Sequence, residues 1–455
     1  MFSAKKIDMT EGPVMKLIFL FALPMCVGNI LQQLYNTVDT FVIGNYCSSV
    51  SLAAVGTSSQ PVEILLCVFV GLGNGVSILA AQHTGNGNIE NLKEVVSTAV
   101  SFLYLCAIPV TILGLLAGAD ILKVMQVPES TWELSVRYMR IIFLGVLGNL
   151  GYNMNAGILR GLGDSRSSLL FLVISCIINI VLDFIFVAGL GMDVAGAALA
   201  TIIAMFSSWL FSILYIRKKY PELAFTILPR RMKKEILLEI IRIGLPLGLI
   251  NSIYSIGHVL LQSLINMQGA AFMAACAVAS KVTSIANVTI NSFSSAATTF
   301  SGQNLGAGKY VRLCKSSLKI PLVSGAFSFA GGMIVLFFGR EILGLFTSDA
   351  EVLDMALIYL RVTLPYFWAY AIFNGFICFA NGLGEVRYPM IVSILALWAV
   401  RIPCAHLIAR FFDGRYMMAC FPASFLFGMC AMLLFFRSKR WKEIKRLAKE
   451  EQQDT

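Results

Sequence analysis

Charged side chains are scarce in this chain of 455 residues. Only 13% of the residues are Asp, Glu, Lys or Arg, and 58% are hydrophobic. Soluble domains carry about 25% charged and about 45–50% apolar residues. So few charges cannot cover so much apolar surface in water, which excludes a soluble enzyme, a secreted domain and a disordered chain. We therefore predict that the chain is embedded in a lipid bilayer.

Signatures of catalysis and of cofactor binding are also missing. The 11 cysteines are scattered singly, so we interpret them as small buried hydrophobes rather than disulfides or metal ligands. The 3 histidines lie far apart, and no HExxH, Walker-type or GxSxG motif occurs. We predict no enzyme activity and no cofactor. The net charge of +10 does not indicate nucleic-acid binding, because the basic residues cluster in connecting segments and in the tail.

Apolar runs of about 20 residues, the length that crosses a bilayer, recur along the whole chain. Basic residues concentrate in the connections on one side and in the tail, so the positive-inside rule places both termini in the cytoplasm. The sequence thus predicts an all-α polytopic protein of the cell (inner) membrane. The twelve predicted spans are 15–45, 52–82, 93–118, 132–161, 167–189, 194–217, 236–266, 270–304, 314–338, 352–382, 387–410 and 415–437.

Similar motifs recur at a nearly constant distance along the chain. FALPMCVGN (21–29) resembles IGLPLGLIN (243–251), and YNMNAGILRGLGDSR (152–166) resembles FNGFICFANGLGEVR (373–387). Six spans per repeat is an even number, so the halves form a parallel repeat about an axis along the membrane normal. Two similar six-helix lobes are typical of alternating-access transport. The predicted segments are an N-terminal lobe (1–217), a cytoplasmic linker (218–235), a C-terminal lobe (236–437) and a basic cytoplasmic tail (438–455).

Three carboxylates lie well inside predicted spans: Asp39, Glu63 and Asp183. A carboxylate at membrane depth is costly and is normally functional. At 1.5 Å per residue, Asp39, Asp183 and Thr201 all lie about 9–11 Å below the outer membrane boundary. We therefore expect these three side chains to meet at one level.

Neighbouring polar residues favour a single site on the first, fifth and sixth spans. Asn179 shares a helix face with Asp183, Ala197 shares one with Thr201, and Asn36 lies beside the acid of the first span. Two carboxylates, an amide oxygen, a hydroxyl and a backbone carbonyl form an oxygen cage suited to Na⁺. The same two carboxylates can instead share a proton and titrate as a unit.

The repeat provides a comparison within the chain. At a distance of 221 residues, Asp183 corresponds to Cys404 and Asn179 to Val400, and the acid of the first span corresponds to a leucine. A purely structural polar network is expected in both halves. Its restriction to the first half therefore favours a role in coupling transport to an ion.

Several segments resemble the multidrug and toxic compound extrusion (MATE) transporters. They are LPMCVGNILQQLYNTVDTFVIGN in the first span, LRGLGDSR after the fourth, NIVLDFIFV in the fifth and GQNLGAGKYVR after the eighth. The resemblance spans nearly the whole chain and is similar to the DinF-type branch of bacteria and archaea. It implies a monomeric antiporter that exports a small amphipathic, cationic compound against inward H⁺ or Na⁺. The alternative is a lipid-linked precursor flippase of the same superfamily.

The resemblance also implies roles for single residues. The cation-site side chains are Asp39, Asn179, Asp183 and Thr201, with the Ala197 carbonyl as a further ligand. Secondary candidates for the same site are Tyr35, Asn36, Asn153 and Asn155. Candidates for a substrate cleft are Gln33, Glu63, Asn251, His258, Gln262 and Lys281.

Three alternatives remain open at this point. Pro24 is either a hinge that lets the first helix bend or the centre of a static kink. Glu63 and Lys281 pair either across the cleft or each within its own lobe. Lys281 and Arg401 leave an anionic or zwitterionic substrate open.

Overall fold

The computed structural model describes residues 6–230 and 232–453 as helices and their connections, with no strand among them. Eleven helices in this part of the chain are long and apolar enough to cross a membrane. A twelfth crossing is formed by two helices bent by 47°. The predicted all-α, twelve-span architecture is confirmed, and each predicted span overlaps one of these crossings.

The crossings are numbered α1 to α12 in chain order, and α13 is the tail helix. In the first half they are α1 (Val14–Tyr46), α2 (Ser49–Gly85), α3 (Ile89–Val124), the bent pair α4 (Glu129–Leu144 and Val146–Gly161), α5 (Ser165–Gly189) and α6 (Asp193–Lys219). In the second half they are α7 (Lys234–Asn266), α8 (Ala270–Gly306), α9 (Tyr310–Phe337), α10 (Ala350–Gly382), α11 (Arg387–Phe411), α12 (Gly414–Arg437) and α13 (Lys439–Gln453).

Two crossings contain a π turn. In α5 the π turn is Phe184–Gly189, and in α11 it is Leu395–Arg401. Pro24 lies inside α1, and the helix continues through it. π turns within α-helices occur frequently at functional sites, and the π turn of α5 directly follows Asp183.

The contacts divide the chain into two units, and the division falls inside α1 and α7. The first unit consists of Val27–Leu249 together with the start of the chain up to Ile7. The second unit consists of Asp8–Cys26 and of the chain from Ile250 onward. Each unit therefore contains part of α1 and part of α7.

In the first unit, α2 and the first half of α7 cross with their backbones in contact. A Cβ on Gly71 would lie 2.1 Å from the Gly248 nitrogen, and a Cβ on Gly75 would lie 2.9 Å from the Gly244 Cα. Glycines four residues apart on both helices permit this approach, as in other membrane helix pairs. No larger residue fits at Gly71 unless α7 moves.

A buried carboxylate anchors the connection between α4 and α5. Asp164 is 1% exposed and caps α5 by accepting the Ser167 N–H. It also accepts hydrogen bonds from Lys219 Nζ at 2.8 Å, Tyr220 Oη at 2.9 Å and Tyr215 Oη at 3.0 Å. Burial by itself raises the pKa of Asp164. The hydrogen bonds from Lys219, Ser167 and Tyr220 outweigh burial, so the pKa lies below its ordinary value.

In the second unit, the tail helix α13 docks through its apolar face. Trp441 is 1% exposed, and its ring lies 5.0 Å from Phe436, 6.1 Å from Phe435 and 6.3 Å from Phe379 between centroids. Most of the remaining side chains of α13 are charged. The tail is therefore a packed amphipathic helix with a polar outer face.

Candidate cation site in the first unit

Three helices of the first unit bring the predicted coupling residues together. Tyr35 and Asp39 lie on α1, Asn179 and Asp183 on α5, and Thr201 on α6. Asp183 is fully buried, Asn179 is 1% exposed, and Asp39 is half-buried. Asp39, Asp183 and Thr201 are the side chains that we expected to lie at one level in the membrane.

The carboxyl groups of Asp39 and Asp183 form the centre of this group. They lie within hydrogen-bonding contact of each other. The Oδ1 atom of each is buried and has no hydrogen-bond partner among the described residues. Two carboxylates in contact repel each other when both are charged. This pair is therefore arranged to share one proton or to hold one cation.

Neutral oxygens and an amide surround the carboxyl pair. When its Nδ2 faces Asp183 Oδ2 at 2.9 Å, Asn179 accepts the Thr201 N–H at 3.3 Å through its own Oδ1. The Tyr35 hydroxyl hydrogen-bonds with the Thr201 side chain and lies within electrostatic range of both carboxyl groups. Ala197, one turn before Thr201, is 1% exposed. The arrangement offers several oxygen donors within a few side chains.

Tyr138 of α4 is a member of this group that the sequence reasoning missed. It is 8% exposed, and its hydroxyl lies within electrostatic range of Asp39, Tyr35 and Asp183. Tyr138 belongs to the motif YMRI, which recurs in the second half as YLRV at Tyr359. Because a tyrosine stands at this position in both halves, the repeat did not indicate a special role for Tyr138. The available signal was a hydroxyl within an apolar span of the half that carries the acids.

Three secondary candidates do not join the carboxyl pair. The side chain of Asn36 is exposed, and the Asn153 amide donates to a carbonyl of its own helix at 2.9 Å. The Asn155 amide donates to Ser212 Oγ at 2.8 Å. Ser212 lies about 16 Å along α6 from Thr201, at 1.5 Å per residue. These amides therefore serve helix packing.

The predicted substrate-cleft residues are distributed over both units. Gln33 and Glu63 belong to the first unit and are exposed. The members in the second unit are Asn251, which is half-buried, and His258, Gln262 and Lys281, which are exposed. Gln262 donates to Asn266 on its own helix at 2.8 Å.

The corresponding helices of the second unit hold a cation instead of acids. Arg401 on α11 is 4% exposed, and its Nε donates to Ser424 Oγ at 3.0 Å. Its guanidinium carbon lies 4.6 Å from the ring centre of Phe421, 5.5 Å from that of Phe425 and 6.0 Å from that of Tyr254. Aromatic faces stabilise a cation in this way. A fixed positive charge makes this place unsuitable for a coupling cation.

The donor set of the first unit has a limited chemistry. Among the described residues, no group of three or more His, Cys, Asp or Glu side chains comes together as a metal-binding cluster. The side-chain donors of this group are two carboxyl groups, an amide and hydroxyls. Such oxygen donors suit a proton or a hard monovalent cation better than a transition metal.

Twelve apolar crossings and a carboxyl pair among them define a multi-pass membrane transporter rather than an enzyme. The family model described as MatE matches residues 24–185 and again residues 246–407. The chain belongs to the MatE family of transporters. The two matched segments coincide with the internal repeat found in the sequence.

The relatives and solved structures that match cover nearly the whole chain. It is 27% identical to "Probable multidrug resistance protein YpnP" of Bacillus subtilis (strain 168), over 97% of this chain and 99% of the relative. It is 30% identical to "Probable multidrug resistance protein YoeA" of the same organism, over 86% of each protein. A solved structure described as the outward-facing conformation of a multidrug resistance MATE family transporter of the MOP superfamily shares 25% identity, with a TM-score of 0.90. That match covers 99% of this chain and 100% of the other.

Proposed function

We propose that this protein is a multidrug efflux antiporter, which exports small organic compounds by secondary active transport. Inward movement of H⁺ or Na⁺ through the Asp39–Asp183 pair drives export. The observation that carries the proposal is the contact between two carboxyl groups at membrane depth, each with a buried oxygen that no described residue satisfies.

Coupling requires that the cation binds with different free energy in the two access states. The site suits this requirement because its ligands come from three separate helices. α5 and α6 are joined through Asn179 and Thr201, whereas α1 contributes Asp39. A small movement of α1 relative to α5 would separate the two carboxyl groups and change their affinity for a cation. Pro24 lies 15 residues before Asp39 on the same helix and removes one backbone hydrogen bond, which makes bending of α1 easier there.

The substrate class follows from the relatives that are named as multidrug resistance proteins. We infer a small amphipathic, cationic organic substrate, a monomeric transporter and a location in the inner membrane with both termini in the cytoplasm. The basic residues of the connections on one side support this orientation through the positive-inside rule.

The decisive experiment measures substrate efflux from proteoliposomes under an imposed pH gradient or an imposed Na⁺ gradient. Ethidium, a lipophilic cation, is a suitable probe. We expect wild-type protein to export it under one of the two gradients. We expect Asp39→Asn to abolish the response to that gradient, because an amide neither carries a proton nor pairs with a cation.

Asp120→Asn is the matched control, because Asp120 is an exposed acid of α3. It should keep wild-type coupling. Wild-type transport that responds to neither gradient would overturn the antiporter proposal. Full gradient-driven transport by Asp39→Asn would overturn the assignment of the site.

A further inference from the structure

A cavity of about 610 Å³ lies in the second unit, lined by residues of α1, α9 and α13. Four of its lining residues are basic, and only one is acidic. The basic residues are Lys309, Arg312, Lys315 and Lys319, and the acid is Glu451. The cavity therefore carries an excess of positive charge and is referred to here as the basic pocket.

Lys309 forms an ion pair with Glu11 at 3.9 Å, but two of the other cations are not neutralised by the described residues. Lys315 and Lys319 are exposed and form no ion pair with the described residues. Arg312 donates through Nη2 to the Met9 carbonyl at 3.3 Å, but its Nε is buried without a hydrogen-bond partner among the described residues. The carboxylate of Glu451 accepts a backbone N–H of α9 at 2.8 Å. A buried donor without an acceptor is costly, so an acceptor brought by a ligand would be stabilising here.

The start of α1 adds backbone donors to the basic pocket. Pro13, Val14 and Met15 line it. The first helical bond runs from the Leu17 N–H to the Pro13 carbonyl at 3.2 Å. The N–H groups of Val14 and Met15 precede this bond and have no intrahelical acceptor. The N-terminus of a helix of 33 residues favours an anion through these groups and through the helix dipole.

The four basic residues of the pocket have no basic counterparts at the aligned positions of the first half. The residues 221 positions before the four basic residues are Asn88, Asn91, Glu94 and Thr98. None of them is basic, and Glu94 forms an ion pair with Lys233 of the linker. The corresponding helix start of the first half also lines a cavity, whose charged residues are Lys93, Arg230, Lys233 and Glu94.

The position of the basic pocket matches the level of lipid headgroups. α1, with 33 residues, and α9, with 28 residues, both begin at it. At 1.5 Å per residue each helix is longer than the hydrocarbon core of about 30 Å, so their first residues lie at the membrane boundary. Leu318 and Leu322 of α9 are 47% and 54% exposed. Apolar surface suited to acyl chains therefore adjoins the cations.

We propose that the basic pocket binds the phosphate group of an anionic phospholipid. Arg312, Lys315, Lys319 and the N–H groups at the start of α1 hold the phosphate, and the acyl chains extend along the exposed leucines of α9. The occupant is a membrane lipid rather than a soluble phosphate, because the pocket lies at the end of two membrane helices and adjoins apolar surface. The site is separate from the carboxyl pair of the first unit.

The test uses purified, delipidated protein in detergent and follows its thermal unfolding midpoint against lipid concentration. Phosphatidylglycerol, phosphatidylcholine with the same acyl chains, and inorganic phosphate are the three probes. The double variant Lys315→Gln/Lys319→Gln removes two exposed cations of the pocket. Lys218→Gln/Lys234→Gln removes two exposed lysines at the linker and is the control.

We expect phosphatidylglycerol to raise the midpoint of wild type and control alike, and phosphatidylcholine to raise it far less. In the pocket variant, the half-saturating concentration of phosphatidylglycerol should increase by about tenfold or more, since each lysine near an anionic surface contributes on the order of 1 kcal/mol. Native mass spectrometry of the lipid that remains bound gives a second measurement. Equal phosphatidylglycerol responses in the two variants would overturn the proposal. A full response to inorganic phosphate alone would overturn the assignment to a lipid.

Discussion

The two halves of this transporter use the same three helices for opposite charges. In the first half, α1, α5 and α6 bring together the carboxyl groups of Asp39 and Asp183. In the second half, α7, α11 and α12 surround Arg401 with aromatic rings and a serine hydroxyl. Each half therefore buries polar groups among the corresponding three helices, and the sign of the charge differs between the halves.

The comparison distinguishes the features that the repeated fold has in both halves from the features that a cation site needs. The scaffold supplies helix order, crossing lengths and the glycine-rich turns after the fourth and tenth crossings, and these are similar in both halves. The site requires acids that remain unneutralised until a cation arrives. Arg401 is already stabilised by its aromatic neighbours, whereas the carboxyl pair retains unsatisfied oxygens. Only the first half is therefore suited to bind and release a cation.

The largest effect on gradient-driven transport is expected when the charged residues at these two places are compared by neutral substitutions. Asp183→Asn should lower gradient-driven efflux by about a hundredfold or more, because one of two carboxyl groups that stabilise the cation is lost. Arg401→Met should leave the response to the gradient intact, since an apolar residue of similar length can replace a buried cation without large cost. Proteoliposome efflux under the gradient identified for wild type measures both variants. A loss of coupling in Arg401→Met equal to that in Asp183→Asn would break the distinction between the halves.

The next largest effect is expected on stability, at the turns after the fourth and tenth crossings. Asp164 and Glu385 correspond to each other there in the repeat. Asp164 accepts several hydrogen bonds and forms an ion pair with Lys219. Glu385, in contrast, accepts only the Tyr388 N–H at 3.5 Å among the described residues. Asp164→Asn should lower the free energy of unfolding by about 2–4 kcal/mol, because Lys219 loses a charged partner at a buried site. Glu385→Gln should cost less than about 1 kcal/mol. Equal losses of thermal midpoint in the two variants would contradict this assignment.

The stability difference between wild type and Asp164→Asn should also depend on pH. The pKa of Asp164 is lowered in the folded protein, below the ordinary value of about 4. Its stabilising contribution is therefore complete above that ordinary value and is lost as the pH falls through the lower, folded pKa. The difference in thermal midpoint between wild type and Asp164→Asn should stay constant from about pH 7 to 5 and shrink below about pH 4. A difference that grows on acidification would show that the sign is wrong.

A smaller effect is expected at the crossing of α2 with α7. Gly71 corresponds to Ser292 in the second half, so Gly71→Ser installs the residue that the other half uses. Its Cβ would lie 2.1 Å from the Gly248 nitrogen, and overpacking of this kind costs about 1–3 kcal/mol. Gly56→Ser on the same helix is the control, because no atom lies within 4 Å of a Cβ at Gly56. Thermal unfolding of both variants measures the difference, and a stable Gly71→Ser protein would show that the close approach is dispensable.

The smallest effect distinguishes two tyrosines that correspond in the repeat. Tyr138 lies beside the carboxyl pair, whereas Tyr359 is hydrogen-bonded to Ser280 and Thr283. Tyr138→Phe should change the concentration of coupling ion that gives half-maximal transport by a few-fold, because one polar group near the cation is lost. Tyr359→Phe should leave that concentration unchanged. The same shift in both variants would remove Tyr138 from the site.

Hydropathy predicted the crossings well because membrane insertion depends on residue type along a continuous run. The fifth span, predicted at 167–189, is observed at Ser165–Gly189. The bend within α4 and the π turns of α5 and α11 were not predicted, because a change in hydrogen-bond register leaves no mark in composition. The division of α1 and α7 between two units also depends on contacts that hydropathy does not describe.

The carboxyl pair was predictable because depth can be counted from the ends of the spans. Asp39, Asp183 and Thr201 needed only this count and helical periodicity. Tyr138 was missed because its contact with the pair depends on how α4 packs, and α4 is bent. Asn155 was predicted as a secondary candidate for the site, but it binds Ser212, which lies too far along α6 from the carboxyl pair. Both cases require the three-dimensional arrangement of a fourth helix.

The π turn of α5 has a consequence for insertions and deletions in this helix. It begins at Phe184, directly after Asp183, and a π turn holds one residue more than the α-helical turn that it replaces. Deleting one residue within Phe184–Gly189 would restore an ordinary helix and leave the part beyond it close to its present orientation. Asn179 and Asp183 would keep their register with α6. A deletion of one residue within the π turn would therefore leave the carboxyl pair in place. The same deletion before Asn179 would rotate the two residues of α5 away from their partners.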